Sequence, residues 1–215
     1  MDFSLSEEIE EVVETVRDFV REELGPLEER MHELSWDELE EEIEQKRQKV
    51  RDLGLWTPHL PEKWGGAGLS LLEFAHVAEE LGRSPLGHLA FNCQAPDAGN
   101  MEILIDHGSE MQQEKFLQPL LDGEIRSCFS MTEPDKPGSN PTWMDTTAEM
   151  RGDDYVINGR KWFTSSAEGA EFAIVMAITN PDADSRYARA SQIIVPLGIP
   201  GFELLRNIPV MGEEG

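Results

Sequence analysis

Cys128-Phe129-Ser130-Met131-Thr132-Glu133-Pro134-Asp135-Lys136-Pro137-Gly138-Ser139, followed beyond Asn158-Gly159 by Arg160-Lys161-Trp162-Phe163-Thr164, divides the chain into two kinds of sequence. Before it, apolar residues recur at helical spacing; after it they alternate. Phe129 and Met131 alternate with Ser130 and Thr132, as in a half-buried strand. Pro134, Pro137 and Gly138 then break the run into a loop rich in hydrogen-bonding groups. If 160–164 returns as a strand, Trp162 and Thr164 share a face, two residues apart. A flat aromatic and two hydroxyls beside the Gly138-Ser139 loop suit a flat, polar, phosphorylated cofactor. The same residues also suit a β-hairpin with a core tryptophan and two exposed threonines.

Working outward toward the N-terminus, Ser4-x-x-Glu7 predicts a capping box. Ile9, Val12, Val13, Val16, Phe19, Val20 and Leu24 follow on one helical face, and Gly25-Pro26 predicts the stop. Ser35-x-x-Glu38 opens a second helix carrying Leu39, Ile43, Val50 and Leu53, ended by Gly54. Residues 55–69 read as a loop whose Gly65-Gly66-x-Gly68 lacks the strand-then-helix context of a dinucleotide fingerprint. Ser70-x-x-Glu73 opens a third helix closed by Gly82. Residues 97–107 read as helix, and Ser109-x-x-Gln112 opens another that ends at Gly123.

From Ile125 the period becomes two. Strands are predicted at 125–131, 144–150, 154–157, 160–164, 172–178, 191–195 and 202–205. Asn158-Gly159 is the strongest hairpin signal, since a type I′ turn needs positive φ at both central positions. Helices first and strands second predict an α+β fold, with a helical domain at 1–124 and a small β-barrel domain at 125–215. The barrel is expected to be incomplete, because no closing element follows 202–205.

The net charge of −25, from 43 acidic against 18 basic residues, argues against nucleic acid and anionic membrane as partners. Arg outnumbers Lys twelve to six, and acid spread over the chain with few lysines is halophile-like. No apolar run approaches the roughly 18 residues that would span a bilayer. The N-terminus lacks the basic and apolar regions of a secretory signal. Two cysteines without metal-ligand spacing, Cys93 and Cys128, point to a reducing, cytoplasmic setting and to no metal site.

Few residues offer conventional catalytic chemistry. His32, His59, His76, His88 and His107 are scattered through the helical part, with no Ser-His-Asp or Cys-His arrangement. Asp182 and Asp184 near Asn180 form a fragment of a calcium loop without its distal Glu, so an acidic turn is expected. Glu133, between Thr132 and Pro134, reads as structural. Glu213 and Glu214 lie at the terminus and match no catalytic motif.

Met131-Thr132-Glu133-Pro134 with Gly138-Ser139, then Tyr155-Val156-Ile157-Asn158-Gly159-Arg160-Lys161-Trp162-Phe163-Thr164, resembles the acyl-CoA dehydrogenase family. Leu60-Pro61-Glu62-x-x-Gly65-Gly66-x-Gly68 and Glu79-Glu80-Leu81 are similar to its N-terminal helical domain. Phe91-Asn92-Cys93-Gln94-Ala95-Pro96-Asp97-x-Gly99-Asn100-Met101-Glu102 resembles a narrower branch, fused in animals behind a phosphotransferase-like domain. Phe163 stands where many members have an aliphatic residue.

The resemblance implies an FAD-dependent oxidoreductase of lipid metabolism. Such an enzyme of fatty acid β-oxidation converts an acyl-CoA to the trans-2-enoyl-CoA. It implies that Phe129, Ser130, Met131 and Thr132 line the flavin and that Trp162 packs on it, with Phe163 beside and Thr164 hydrogen-bonding it. Ser139 would reach the cofactor pyrophosphate or the CoA part of the substrate. Electron-transfer flavoprotein is the implied acceptor and a homo-oligomer the implied full-length state. The family's catalytic glutamate belongs to a C-terminal helical bundle expected beyond Gly215, so no catalytic residue is assigned here. A flavin oxidase or monooxygenase of the same fold, or a non-catalytic flavin-binding fragment, are the alternatives.

Overall fold

A computed structural model describes residues 3–210. Met211 and the rest of the terminal segment, including Glu213 and Glu214, lie outside the described residues. Two compact units divide between Ala98 and Gly99.

The first unit is helical. It contains α1 (Glu7–Phe19), α2 (Gly25–Glu28), α3 (Trp36–Asp52), α4 (Leu71–Leu81) and α5 (Gly87–Ala90), and the start of α6 (Asp97–His107). The capping boxes at Ser35/Glu38 and Ser70/Glu73 form as the spacing predicts. The first helix starts later than expected: Ser6, not Ser4, caps it by accepting from the Ile9 amide. This start places Glu7, Glu8 and Glu10 in the first turn, where the helix dipole favours negative charge.

Gly25-Pro26 does not stop the chain's helical path. A π-turn, Val20–Leu24, hands the Gly25 amide to the Val20 carbonyl, and α2 continues through Pro26. In a regular helix a proline ring meets the carbonyl four residues back. The widened turn relieves that clash. The core of this unit joins Val16, Phe19, Leu24, Ile43, Val50, Val77, Leu81 and Phe91, with Phe19 and Phe91 in edge-to-face contact at 5.3 Å.

The second unit combines the rest of α6 with α7 (Glu110–Gln112), α8 (Gln118–Asp122) and a five-stranded sheet. The Ser109/Gln112 capping box is present. A second π-turn, Gln113–Leu117, again precedes a proline, Pro119. Gly123 ends the run with φ of 75°. The strands are β1 (Ser127–Ser130), β2 (Thr147–Arg151), β3 (Asp154–Asn158), β4 (Phe172–Ile178) and β5 (Ala190–Pro196). Along one edge of β4 run β1, parallel to its first half, and β2, which meets it only at Thr147 opposite Ile178. Along the other edge β5 runs antiparallel for the whole length. The sheet is mixed and not closed.

Two predicted strands are absent. Residues 160–164 form no ladder, because Phe163 takes a left-handed φ of 50° that interrupts extended backbone. Residues 202–205 likewise form none, and Phe202, Leu204 and Leu205 stay exposed without a pairing partner among the described residues. The Asn158-Gly159 hairpin is also absent. The hairpin turn is Gly152-Asp153, which joins β2 to β3 with φ of 68° at Gly152. Gly159 is needed for a different reason: a Cβ there would lie 2.2 Å from the Thr146 hydroxyl oxygen. Among the described residues no helix is long and apolar enough to cross a membrane.

Candidate functional site

The site is built where β1 runs out. Ser127 and Cys128 are fully buried in β1 beside β4. Asn100, itself buried in α6, donates from its amide nitrogen to the Ser127 hydroxyl (2.9 Å) and the Cys128 carbonyl (3.2 Å), fixing the strand to the helix. The chain then leaves the sheet at Met131 and enters the 134–141 loop.

Residues 161–164 come back alongside it without strand pairing. The Trp162 amide donates to the Thr132 carbonyl at 3.1 Å. The Thr132 hydroxyl donates to the Trp162 carbonyl at 2.7 Å. Two residues further on, the Thr164 and Ser130 hydroxyls lie 3.3 Å apart. Trp162 is half-buried, and its ring packs on the exposed Phe163 ring at 4.8 Å. Arg126 donates to the Ser166 hydroxyl, and Ser166 also holds a left-handed φ, of 63°.

Of the residues singled out from sequence, Ser130, Thr132, Trp162, Phe163 and Thr164 thus come together. Phe129 lies in β1 and Met131 directly follows it, both half-buried. Ser139 stands exposed on the loop. Gly138 reaches the cluster: a Cβ there would press on the Thr132 methyl at 3.2 Å. A recess beside these groups is lined by Met131, Thr132, Lys136, Gly138, Trp143 and Met144.

Beneath this surface lies a buried charge network. Glu133, 5% exposed, accepts from the Asp145 amide at 2.6 Å, the Thr146 amide at 2.9 Å and the Lys161 ammonium at 2.9 Å. Lys161 gives a second bond to the Met131 carbonyl at 2.8 Å. Burial works against the Glu133 charge, but hydrogen bonds from Thr146, Asp145 and Lys161 outweigh it and hold the carboxyl at about 2. Burial pulls the Lys161 ammonium below its ordinary range, and Glu133 pulls it part of the way back.

Lys161 and Asn100 were read from sequence only as members of motifs, with no role given to either. Asn has low helix propensity, and its place inside α6 was the available signal for Asn100. His59 sits in the 55–69 loop, as read from sequence, and burial depresses its pKa to about 4. Among the described residues no group of three His, Cys, Asp or Glu side chains converges to hold a metal ion.

Comparison with known proteins identifies the family. Residues 6–124 match the family profile "Acyl-CoA dehydrogenase, N-terminal domain", and residues 128–215 match "Acyl-CoA dehydrogenase, middle domain". Acyl-CoA dehydrogenase family member 11 of Gallus gallus is 44% identical over 79% of the chain. A Mycobacterium tuberculosis protein assigned as acyl-CoA dehydrogenase FadE2 is 46% identical over 79%. The chain spans only 22% and 42% of the lengths of these two relatives. A Mycobacterium abscessus structure assigned as an acyl-CoA dehydrogenase superposes with a TM-score of 0.90 at 41% identity, covering 97% of this chain and 55% of that one. PigA, solved with FAD and proline, superposes with a TM-score of 0.77 at 28% identity, covering 98% of this chain and 53% of its own. Both halves of the sequence, the helical unit and the unclosed sheet therefore agree, and the chain belongs to the acyl-CoA dehydrogenase family.

Proposed function

We propose that this chain forms the helical and flavin-binding portion of an FAD-dependent dehydrogenase that converts an acyl-CoA thioester to the trans-2-enoyl-CoA. The observation that carries the reading is the meeting of Thr132 with Trp162 and of Ser130 with Thr164 at the end of β1. The donor set fits FAD: a half-buried indole offers a flat apolar face, and hydroxyls beside it offer hydrogen bonds to ring nitrogens and oxygens. FAD would supply the hydride acceptor. Trp162 and Phe163 would pack against its ring and keep water from that face. Thr132 spends its hydroxyl hydrogen on Trp162, so its oxygen is left to accept. Ser130 and Thr164 share one hydrogen between them, which leaves the other free to donate outward. Ser139 and the Gly138 backbone would face the pyrophosphate or the CoA moiety.

The proton at the α-carbon needs a base positioned with the flavin at the same moment. Glu133 is unsuited to that role, since it is buried, held near 2 and already accepts from three donors. This reading therefore does not take its base from Glu133. With the reading go transfer to electron-transfer flavoprotein, assembly as a homo-oligomer, and a cytoplasmic location. The 124/125 division between helical and flavin-binding portions belongs to the same reading.

The test is anaerobic mixing of the full-length flavoprotein with saturated acyl-CoA thioesters of graded length. Flavin bleaching that depends on the thioester is expected, and its absence across the panel would sink the reading. A second reading, a same-fold flavoenzyme with another substrate, is favoured by the proline found with PigA. It predicts bleaching by a non-thioester substrate or rapid turnover with oxygen.

A further inference from the structure

The two segments that make the candidate flavin wall, 131–133 and 161–164, run side by side but form no ladder. Without a ladder, register is weakly specified, and a slip of one residue would turn Trp162 or Thr132 away. Only two hydrogen bonds join Thr132 to Trp162 directly. A buried ion pair crosses the same two segments one residue away on each: Glu133 adjoins Thr132, and Lys161 adjoins Trp162. Their side chains are 6% and 10% exposed.

Removing two charges from water costs more than an apolar pair would, so such a pair is weak evidence for stability alone. This pair also ties in residues 131, 145 and 146. Lys161 reaches back to the Met131 carbonyl at 2.8 Å. Glu133 takes the amides of Asp145 and Thr146, which lead into β2, and Asp145 in turn pairs with Lys136 of the loop at 2.9 Å. We propose that Glu133 and Lys161 are positioning residues, a clamp that sets the Thr132–Trp162 register and so preorganises the flavin wall before the cofactor arrives. The link to FAD rests on the function proposed above; the clamp itself does not.

The experiment uses the full-length protein, purified without FAD, in wild-type form and as Glu133→Gln and Lys161→Met. Hydrogen exchange is followed at the Trp162 amide and, as a control, at amides of the paired β4 and β5. Glu133→Gln strands a buried ammonium on the Met131 carbonyl alone and is the more destabilised of the two. Lys161→Met leaves Glu133 with its two backbone donors and is the decisive variant. The Trp162 amide should exchange at least about tenfold faster in Lys161→Met while β4 and β5 keep wild-type protection. FAD affinity, read by quenching of flavin fluorescence, should fall by about tenfold or more, because the wall must then be ordered on binding. Wild-type protection at Trp162 in Lys161→Met would overturn the clamp. Faster exchange with unchanged FAD affinity would overturn the preorganisation. Failure of the wild type to bind FAD would overturn the flavin reading while leaving the exchange result to judge the clamp.

Discussion

Two titratable groups, the buried Glu133 and the half-buried His59, give the molecule separate acid-sensitive windows, and each has a sign. The Glu133 carboxyl sits at about 2 when folded, against an ordinary 4.5, so between those values the folded state binds fewer protons than the unfolded chain. Its contribution is complete above 4.5 and is lost as pH falls through 2, and a shift of this size corresponds to about 3 kcal/mol. Glu133→Gln should therefore be less stable at neutral pH and show a shallower loss of stability between pH 4.5 and 2. His59, lowered from 6.5 to about 4 by burial, also binds fewer protons when folded. Its window is higher: stability is lost as pH falls from 6.5 toward 4, and His59→Gln should flatten that part of the curve. Urea midpoints measured across pH check both, and parallel curves for variant and wild type would refute the corresponding assignment. The buried Cys93 thiol is pushed up to about 12 by burial, so it stays protonated. It should resist iodoacetamide at pH 8 in the native state and react promptly in urea; prompt native labelling would contradict its burial.

At the scale of elements, the helical half was largely legible because capping and hydrophobic period act locally. Three of the four proposed capping boxes form as read. The misreadings have two causes, a local change of helical turn and the approach of a segment distant in sequence. Pro26 is a stop signal only in an ordinary α-turn, and the π-turn before it changes the rule. Asn158-Gly159 looks like a turn, but glycine is demanded there by the approach of Thr146, a residue distant in sequence. The candidate site residues were singled out by resemblance to family motifs, and five of them meet at the end of β1, whereas the Lys161–Glu133 pairing depends on a fold that brings residues 133, 145 and 161 together. The two glycines separate backbone strain from close approach experimentally. Gly152→Ala places a Cβ at φ of 68° in open space and should cost about 1 kcal/mol from backbone strain alone. Gly159→Ala drives a methyl into Thr146 and should cost about 1–3 kcal/mol. Denaturant midpoints that left Gly159→Ala at wild-type stability would refute the Thr146 contact as the reason for that glycine.

For the whole molecule, a net charge of −25 sets two electrostatic effects against each other as salt is added. Screening weakens ion pairs such as Arg21–Asp18 and Arg51–Glu44, which destabilises. These pairs are at least partly exposed, and surface pairs contribute about 0–1 kcal/mol each, often nothing measurable. Screening also relieves repulsion among 43 acidic groups confined to the compact state, which stabilises. The Debye length falls from about 10 Å at 0.1 M to about 3 Å at 1 M, short enough to cut the repulsion between neighbouring carboxylates. The buried Lys161–Glu133 pair is shielded from this exchange by its burial. Relief should therefore win, by about 1–2 kcal/mol, which for a chain of this size moves the melting temperature by about 2–8 °C. Potassium chloride is the salt to use, since sulfate or phosphate would add exclusion from the apolar surface to the charge effect. A melting temperature that stays level or falls between 0.1 and 1 M would mean that the ion pairs outweigh the excess acid, and the halophile-like reading of the composition would then fail.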